Sequence, residues 1–458
     1  MIKTIFITVF HSFISKNILN SGVLSGILED LEVKIVLLVP ENKKYFFEKV
    51  YASDRVQIEG VSVGQMSNYK IVKFFYYLSK LLLSSHYLWY KKVEKRDQKN
   101  SLVDWLSYFL EIIFTAVFSK IPKMPQAFRY IFGKTVAIAE IKEIFKKHQP
   151  QALFSTDIFD ESDILFENEA KHLNVAILGM VRSWDNCYSK GILRVAADYF
   201  LVNNLTIQEE LVTIHNISSE KIKVVGVPQY DCFINSKRTD KKSFMQKLGL
   251  SADKKTILFA PAGTILSDKD GEICEILTDA VKENKIKFPT QIFIRNHPNH
   301  PADLSQFENN EFFKVEYPGK IFGGNPKETE LTKNDISHLA DILYYSDIVI
   351  YTATTLGIDS LCFDKPQIII NFDGYKNKPY KQSVKRYYNE DHMKKMVACG
   401  GVSMANSPEE LILEINKYLE NPKYRFEGRE KTRLQQIHFM DGKSNKRVTD
   451  EILKFINL

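Results

Sequence analysis

The chain reads as an α/β protein built from two doubly wound parallel sheets, and three observations predict it. Short apolar runs recur at 4–10, 33–39, 256–260, 291–294 and 348–351, each ending in turn-forming or polar residues. Segments of helical period separate them, the pattern of β-α-β units whose strands are buried on both faces. At 458 residues the chain also exceeds what one core comfortably organises. Two Rossmann-like domains are therefore expected, 1–235 and 236–435, with a terminal segment, 436–458, returning to the first.

Composition narrows the class. Hydrophobic residues make up 44% and charged residues 26%, a globular balance that excludes disordered and fibrous chains. The formal charge of +6 is mild for a nucleic-acid binder, so an anionic small molecule or a membrane surface fits better. Cys187, Cys232, Cys274, Cys362 and Cys399 are scattered and odd in number, which argues against a disulfide framework or zinc site and for a reducing cytoplasm. The apolar N-terminal run is broken by His11 and Ser12 and reads as a buried strand, not a signal peptide. No apolar run reaches the ~18 residues of a transmembrane helix.

The first strand, 4–10, delivers His11 to its carboxyl end, and a helical pattern with Ile14, Ile18, Leu19 and Val23 follows. After a strand at 33–39, the stretch 69–134 reads as a helical insert. Its aromatic and leucine-rich segments surround Lys91, Lys92, Lys95, Arg96 and Lys99, opposed only by Glu94 and Asp97. That composition suits an interfacial helix on anionic lipid; a pair of core helices with solvated ends reads the same way. A helix over 136–148 leads to a strand at 151–155 and then to Asp157 and Asp160. The strand 175–179 runs into Arg182, Ser183, Trp184, Asp185, Asn186 and Lys190, a loop more polar than a connector needs. Strands at 199–202 and 222–225 close the domain, and the Lys-, Ser- and Asp-rich stretch 235–255 reads as a linker. Further strands fall at 314–317 and 367–372, with terminal helices over 408–419 and 431–455.

The chemistry concentrates in 255–301. One strand stops at Pro261, Ala262, Gly263 and Thr264, the next at Arg295, Asn296, His297 and Pro298. Ligands of parallel sheets sit beyond the carboxyl ends of the strands, so both loops should face one crevice. A cation, an imidazole and a proline-fixed backbone suit a phosphate. Thr352, Thr354 and Thr355 precede a helix that begins at Leu356, offering hydroxyls and helix-end amides to the same group. Asp359 on that helix completes the donor-side set.

The segments Ile257-Leu258-Phe259-Ala260-Pro261 and Arg295-Asn296-His297-Pro298, with the run Asp347 to Thr355 and then Asp364-Lys365-Pro366, resemble the C-terminal half of the CDP-glycerol glycerophosphotransferases over roughly 256–372. The His-Pro pair is also similar to the HP motif of bacterial sialyl- and Kdo-transferases. The resemblance implies a GT-B fold with an interdomain cleft, and a cytidine nucleotide donor whose phosphates His297 and the threonine loop hold. His297 would stabilise charge on the leaving nucleotide, with Arg295 on the same phosphate. His300 and Pro301 repeat the pair, so preferring His297 rests on the family pattern. The Thr-Ala-Thr-Thr loop departs from the Tyr-Ser-Ser commoner in the glycerophosphotransferases. The segments around Trp184 and Lys190 resemble elements of surface-polysaccharide proteins.

The first domain is then the acceptor side. Asp157 and Asp185 each follow a buried strand and can serve as general base or nucleophile, with Asp160 a third choice. His11, Asp160, Arg182, Ser183, Trp184, Asn186 and Lys190 line the acceptor. No D-x-D element stands where a metal-bound diphosphate would need it, so no metal and no resident cofactor are expected. The leading expectation is a glycosyltransferase moving a CMP-activated nonulosonic acid or Kdo onto a surface glycan or lipid-linked acceptor. It would work in the cytoplasm, on the inner face of the membrane, with no nucleic-acid partner. Alternatives are a CDP-glycerol-type polyol-phosphate transferase, an isomerase like UDP-N-acetylglucosamine 2-epimerase, and a non-catalytic scaffold.

Overall fold

The apolar runs form strands wherever β-branched and aromatic residues cluster. The computed structural model describes residues 2–66, 68–96, 101–307, 310, 312–322 and 325–457. By contacts these divide into Met1–Pro228 with Lys443–Leu458, and Gln229–Gly442.

In the first unit β1 (Lys3–Thr8), β2 (Val33–Pro40), β3 (Val56–Val61), β4 (Ala152–Ser155), β5 (Ala176–Met180), β6 (Tyr199–Val202) and β7 (Ile222–Val224) form one sheet. Its order is β3-β2-β1-β4-β5-β6-β7, and every pair is parallel. Alternation along β1 sends Phe6 to one face and Ile5 and Ile7 to the other. Phe6 packs with Phe75, Phe128, Phe132 and Phe145 from the helical layer, whereas Ile5 and Ile7 pack with Val23, Ile27, Val448 and Ile452. The last two belong to the terminal helix Ser444–Ile456, whose carbonyl at Ile456 also accepts from Lys3 Nζ at 3.0 Å.

The second unit holds β8 (Lys255–Ala260), β9 (Thr290–Arg295), β10 (Phe313–Glu316), the antiparallel pair β11 (Lys320–Phe322) and β12 (Asn325–Glu330), β13 (Ile348–Tyr351), β14 (Gln367–Ile370) and β15 (Ser403–Ala405). The main sheet runs β10-β9-β8-β13-β14-β15, again wholly parallel. In each sheet the strand order reverses once, between β1 and β4 and between β8 and β13. Such reversals open the crevice in which doubly wound sheets bind ligands.

Several elements differ from the sequence reading. Strand β3 alternates apolar and polar residues at a sheet edge, and β15 is three residues long, so neither made a recognisable apolar run. The helix after His11 is broken into Ser12–Ile14, a π-turn at Ser15–Leu19 and Val23–Ile27, with Gly22 at φ 127° before the last. The helix expected over 431–455 is two, Phe426–Gln436 and Ser444–Ile456, parted by the positive-φ residues His438 and Gly442. The contact boundaries fall at 228 and 442, against 235 and 435 from the sequence. Helix Pro228–Asn235 is held in the second unit, where Gln229 and Tyr230 bond Asp359 and Phe233 stacks on Phe363 at 5.7 Å.

The insert consists of helices Lys70–Leu81, His86–Arg96, Leu102–Phe118 and Met124–Thr135. Val72, Phe75, Phe128 and Phe132 face the core, yet Leu102, Leu106, Phe109, Leu110, Ile113 and Val117 are exposed along one helix. Lys92 of the basic stretch is turned inward, donating to Thr115 Oγ1 at 2.5 Å, and burial lowers its pKa. Asp97 and Lys99 lie outside the described residues, as do the side chains of Lys95 and Arg96. No helix among the described residues is long and apolar enough to cross a membrane.

Candidate active site

In the first unit the reversal between β1 and β4 brings His11 and the segment from Thr156 to Asp160 to one end of the sheet. Asp157 is 1% exposed and fully committed. Its Oδ2 accepts from Arg182 Nε at 2.5 Å, while Oδ1 accepts from Phe159 N and Asn186 Nδ2, each at 3.2 Å. Asp185 is half-buried, with Oδ1 accepting from the Ser183 hydroxyl and Oδ2 from Ser189 Oγ at 2.8 Å. Asp160 caps helix Glu161–His172 through Oδ1, which accepts from Ser162 N at 2.9 Å; its Oδ2 meets no donor among the described residues. Burial, reinforced by the charge of Asp157, raises the Asp160 pKa. Trp184 is half-buried in the same loop.

Behind these residues lies a stack of carboxyls that sequence reasoning missed. Asp163 accepts from the Thr8 hydroxyl, and Ser155 Oγ lies 3.2 Å from Asp163 Oδ1 and 2.5 Å from Glu167 Oε1, with one hydroxyl hydrogen to share between the two carboxyls. Burial, then the charges of Asp160 and Asp157, pushes Asp163 well up, and burial pushes Glu167 up to about 8. Both occupy the buried face of their helix, where a sequence reader expects apolar side chains. His11 Nδ1 accepts from Phe13 N at 3.2 Å. Burial, then Arg182, Lys190 and Lys43, holds its pKa well below the ordinary value, so its imidazole is neutral.

In the second unit the loops after β8 and β9 are locked together. Gly263 sits at φ +72°, and a Cβ there would lie 2.1 Å from the His300 carbonyl oxygen, so only glycine fits. Asp270 accepts from Ala262 N and Gly263 N, both at 2.9 Å, and Thr264 N donates to His300 O at 3.2 Å. The three amides of the expected phosphate loop are thus engaged within the protein, leaving the exposed Thr264 side chain. Asn296 ties the next loop: Oδ1 accepts from His297 N at 2.9 Å and Ala302 N at 2.8 Å, and Nδ2 donates to Ala302 O at 2.8 Å. Pro298 presents its carbonyl to Thr329 Oγ1 at 3.0 Å.

His297 is half-buried, and its Nδ1 accepts from Asn299 N at 3.1 Å and His300 N at 3.0 Å. Burial and the neighbouring His300 push its pKa down to about 4. A neutral imidazole whose Nδ1 accepts carries its proton on Nε2, which makes it a hydrogen-bond donor.

Other donor-side residues stand differently from the expectation. Arg295, 7% exposed, donates through Nη1 to Glu316 Oε2 at 2.6 Å, and Glu316 also holds His338 Nε2 at 2.9 Å. Asp359 is turned to Gln229 and Tyr230, at 3.1 and 2.7 Å, so it ties two helices together. Thr352 is buried beside the Tyr388 hydroxyl. Thr354 Oγ1 accepts from Leu356 N at 3.4 Å, and Thr355 is exposed at the start of helix Leu356–Leu361. Sequence reasoning missed Asp270, whose signal was its place opening the helix Asp270–Lys282 after the loop it clamps. Among the described residues no group of three His, Cys, Asp or Glu side chains is arranged to hold a metal ion.

Comparison with known proteins places this geometry. No curated protein matches the chain by sequence. Among solved structures, a Listeria monocytogenes protein assigned as a UDP-N-acetylglucosamine 2-epimerase is similar at a TM-score of 0.58, with 11% identity over 100% of this chain and 97% of that one. The Neisseria meningitidis UDP-GlcNAc 2-epimerase bound to UDP-GlcNAc follows at 0.55, with 10% identity over 98% and 100%. The wall teichoic acid polymerase TagF with CDPG gives 0.53, with 13% identity over 99% and 89%. At such identities the likeness shows the fold, two Rossmann-like α/β sheets of the GT-B kind. A family model, CDP-glycerol:poly(glycerophosphate) glycerophosphotransferase, matches residues 181–454. That match takes in both the Arg182 loop and the His297 loop and covers well over half of the sequence, so the chain belongs to the CDP-glycerol glycerophosphotransferase family, a group of nucleotide-dependent transferases.

Proposed function

We propose that the protein transfers a polyol phosphate from a CDP-linked donor to a hydroxyl of a surface-polymer or lipid-linked acceptor. The family match carries this reading; it favours the polyol-phosphate alternative over a CMP-activated acid sugar. Chemically, the acceptor oxygen attacks the phosphorus that bears the polyol, the bond from that phosphorus to the bridging oxygen breaks, and CMP departs with the electron pair. His297 Nε2–H donates to the diphosphate and stabilises charge growing on the departing CMP. The hydroxyl proton goes to a carboxylate of the first unit. Asp160 suits this role best, because its Oδ2 is open and its raised pKa increases its basicity, whereas Asp157 and Asp185 have both oxygens engaged.

The exposed apolar face of helix Leu102–Phe118, with Lys120 and Lys123 beyond its end, supports a membrane-surface location for that acceptor. The test supplies purified protein with CDP-glycerol, CMP-Kdo or UDP-N-acetylglucosamine, with and without phosphatidylglycerol vesicles carrying a lipid-linked acceptor. The proposal expects CMP release and acceptor extension from CDP-glycerol, stimulated by the vesicles. Turnover confined to CMP-Kdo or UDP-N-acetylglucosamine overturns it.

A further inference from the structure

A guanidinium at the mouth of a site spends its donors on protein acceptors or turns them to whatever enters from solvent. Arg182 does both. Its side chain is 10% exposed, only Nε is bonded, to Asp157, and both terminal nitrogens meet no acceptor among the described residues. Its direction is nonetheless set. Asp157 is anchored by Phe159 N and Asn186 Nδ2 on its other oxygen, so the guanidinium cannot swing freely.

The open fork stands among both signs of charge: Asp157, Asp185 and Asp160 act on Arg182, and further cations gather on its other side. The Phe13 ring lies 5.9 Å from Arg182 Cζ, 5.3 Å from Lys16 Nζ and 5.0 Å from the His11 ring. Lys190 and Lys43 act on the same His11. Neither Lys16 nor Lys190 forms a hydrogen bond or ion pair among the described residues, whereas of the carboxylates nearby Asp157 is engaged by Arg182 and Asp185 by the Ser183 and Ser189 hydroxyls, and Asp160 keeps Oδ2 open. Asn186, 1% exposed, leaves Oδ1 without a partner at the same place, an acceptor for a hydroxyl of the bound group and not for its phosphate. Two free, coplanar N–H pairs match two oxygens of a phosphate, a geometry that lysine cannot supply.

We propose that this cluster binds a phosphoester group of the acceptor, with Arg182 as the fork, Lys190 and Lys16 as flanking charges, and Asp157 as the positioning residue. The inference rests on the polyol-phosphate reading: an acceptor made of phosphorylated polyol carries a phosphate close to the hydroxyl that attacks, and gripping the phosphate brings that hydroxyl towards Asp160. Arg182 is then the residue that distinguishes a phosphorylated acceptor from a neutral one.

The test is calorimetric titration of the intact protein with sn-glycerol 3-phosphate, glycerol, CDP and phosphatidylglycerol vesicles. Glycerol 3-phosphate should bind and glycerol should not. Arg182→Met should weaken glycerol 3-phosphate about tenfold or more and Arg182→Lys less, in keeping with loss of a charged fork, with CDP affinity unchanged. Should Arg182→Met melt early, Lys190→Ala and Lys16→Ala decide, since each should still cost about threefold. Equal binding in the variants overturns the proposal, as does an equal loss of CDP affinity, which would make the site part of the donor's. Loss of vesicle binding alone in Arg182→Met, with no glycerol 3-phosphate binding in the wild type, assigns the phosphate to lipid headgroups and also overturns it. Because binding is read without turnover, Arg182-dependent glycerol 3-phosphate binding in a protein that does not use CDP-glycerol leaves the site standing while the reaction falls.

Discussion

At the carboxyl end of β9 the polar groups around His297 close on neighbours a few residues away. Asn296 binds His297 and Ala302, and His297 binds Asn299 and His300, while the clamp to Thr264 and Gly263 and the bond from Thr329 to the Pro298 carbonyl come from other strands. At the carboxyl ends of β1 and β4 the partners are far apart in the chain: Thr8 with Asp163, Asp157 with Arg182 and Asn186. The first arrangement is mostly backbone amides fixing one neutral imidazole. The second is side chain upon side chain, with carboxyls outnumbering the cations that reach them. A locally closed loop can hold one donor in place whatever the rest of the sheet does. A long-range charged cluster shifts as a whole when one member changes its protonation.

The largest expected effect comes from the long-range cluster. Asp160→Asn removes the one carboxylate oxygen of the three candidates that stands open, and turnover should fall by about 10²–10⁴, the range for a lost general base. Affinity for CDP should stay as it is. If Asp185→Asn loses the activity and Asp160→Asn keeps it, the base is Asp185 and the engaged-oxygen argument is wrong.

His297→Ala should follow, lowering kcat by about 10²–10³, the cost of one lost donor to developing charge. CDP should also bind more weakly. Since the free imidazole is neutral above about pH 4, turnover should show no inflection from His297 between pH 5 and 7 when donor is limiting. Such an inflection, present in the wild type and absent from the variant, would mean that His297 works as an imidazolium.

The same contrast explains what was legible before the structure. The Arg295-to-Pro298 loop and the strand ends that carry the polar segments were visible because local order carried them: an apolar run, a turn former, a His-Pro pair. Side-chain partners were not. Arg295 stands two residues before His297 in sequence, but strand alternation and the neighbouring β10 give it to Glu316. Asp359, placed among the donor residues by its helix, points instead at Gln229, 130 positions away. The edge strand β3 and the three-residue β15 escaped because neither offers a continuous apolar run. Asp163 and Glu167 escaped because burying acids contradicts the patterning rule by which buried faces are recognised.

The last effect is on stability and not on turnover, and it tests whether the carboxyl cluster stores protons at all. Glu167 is buried, with Oε1 on Ser155 and Oε2 unpartnered, and its native pKa is about 8 against 4.5 for the ordinary carboxyl. The folded state therefore binds this proton more tightly than the unfolded state. Stability from this group is full below pH 4.5 and is lost as pH rises towards 8. Glu167→Gln keeps the shape and cannot lose a proton, so it should be nearly neutral at pH 4.5 and more stable than the wild type at pH 8, on the order of a few kcal/mol. His215 has the opposite sign: burial lowers its pKa to about 3, so its contribution is lost as pH falls from 6.5, and the variant should leave that acid limb untouched. Denaturant melts of both proteins from pH 4.5 to 8 read the difference directly. Parallel curves would mean that Glu167 is ionised in the fold, and that the cluster behind Asp160 is then as fixed in its charge as the loop at His297.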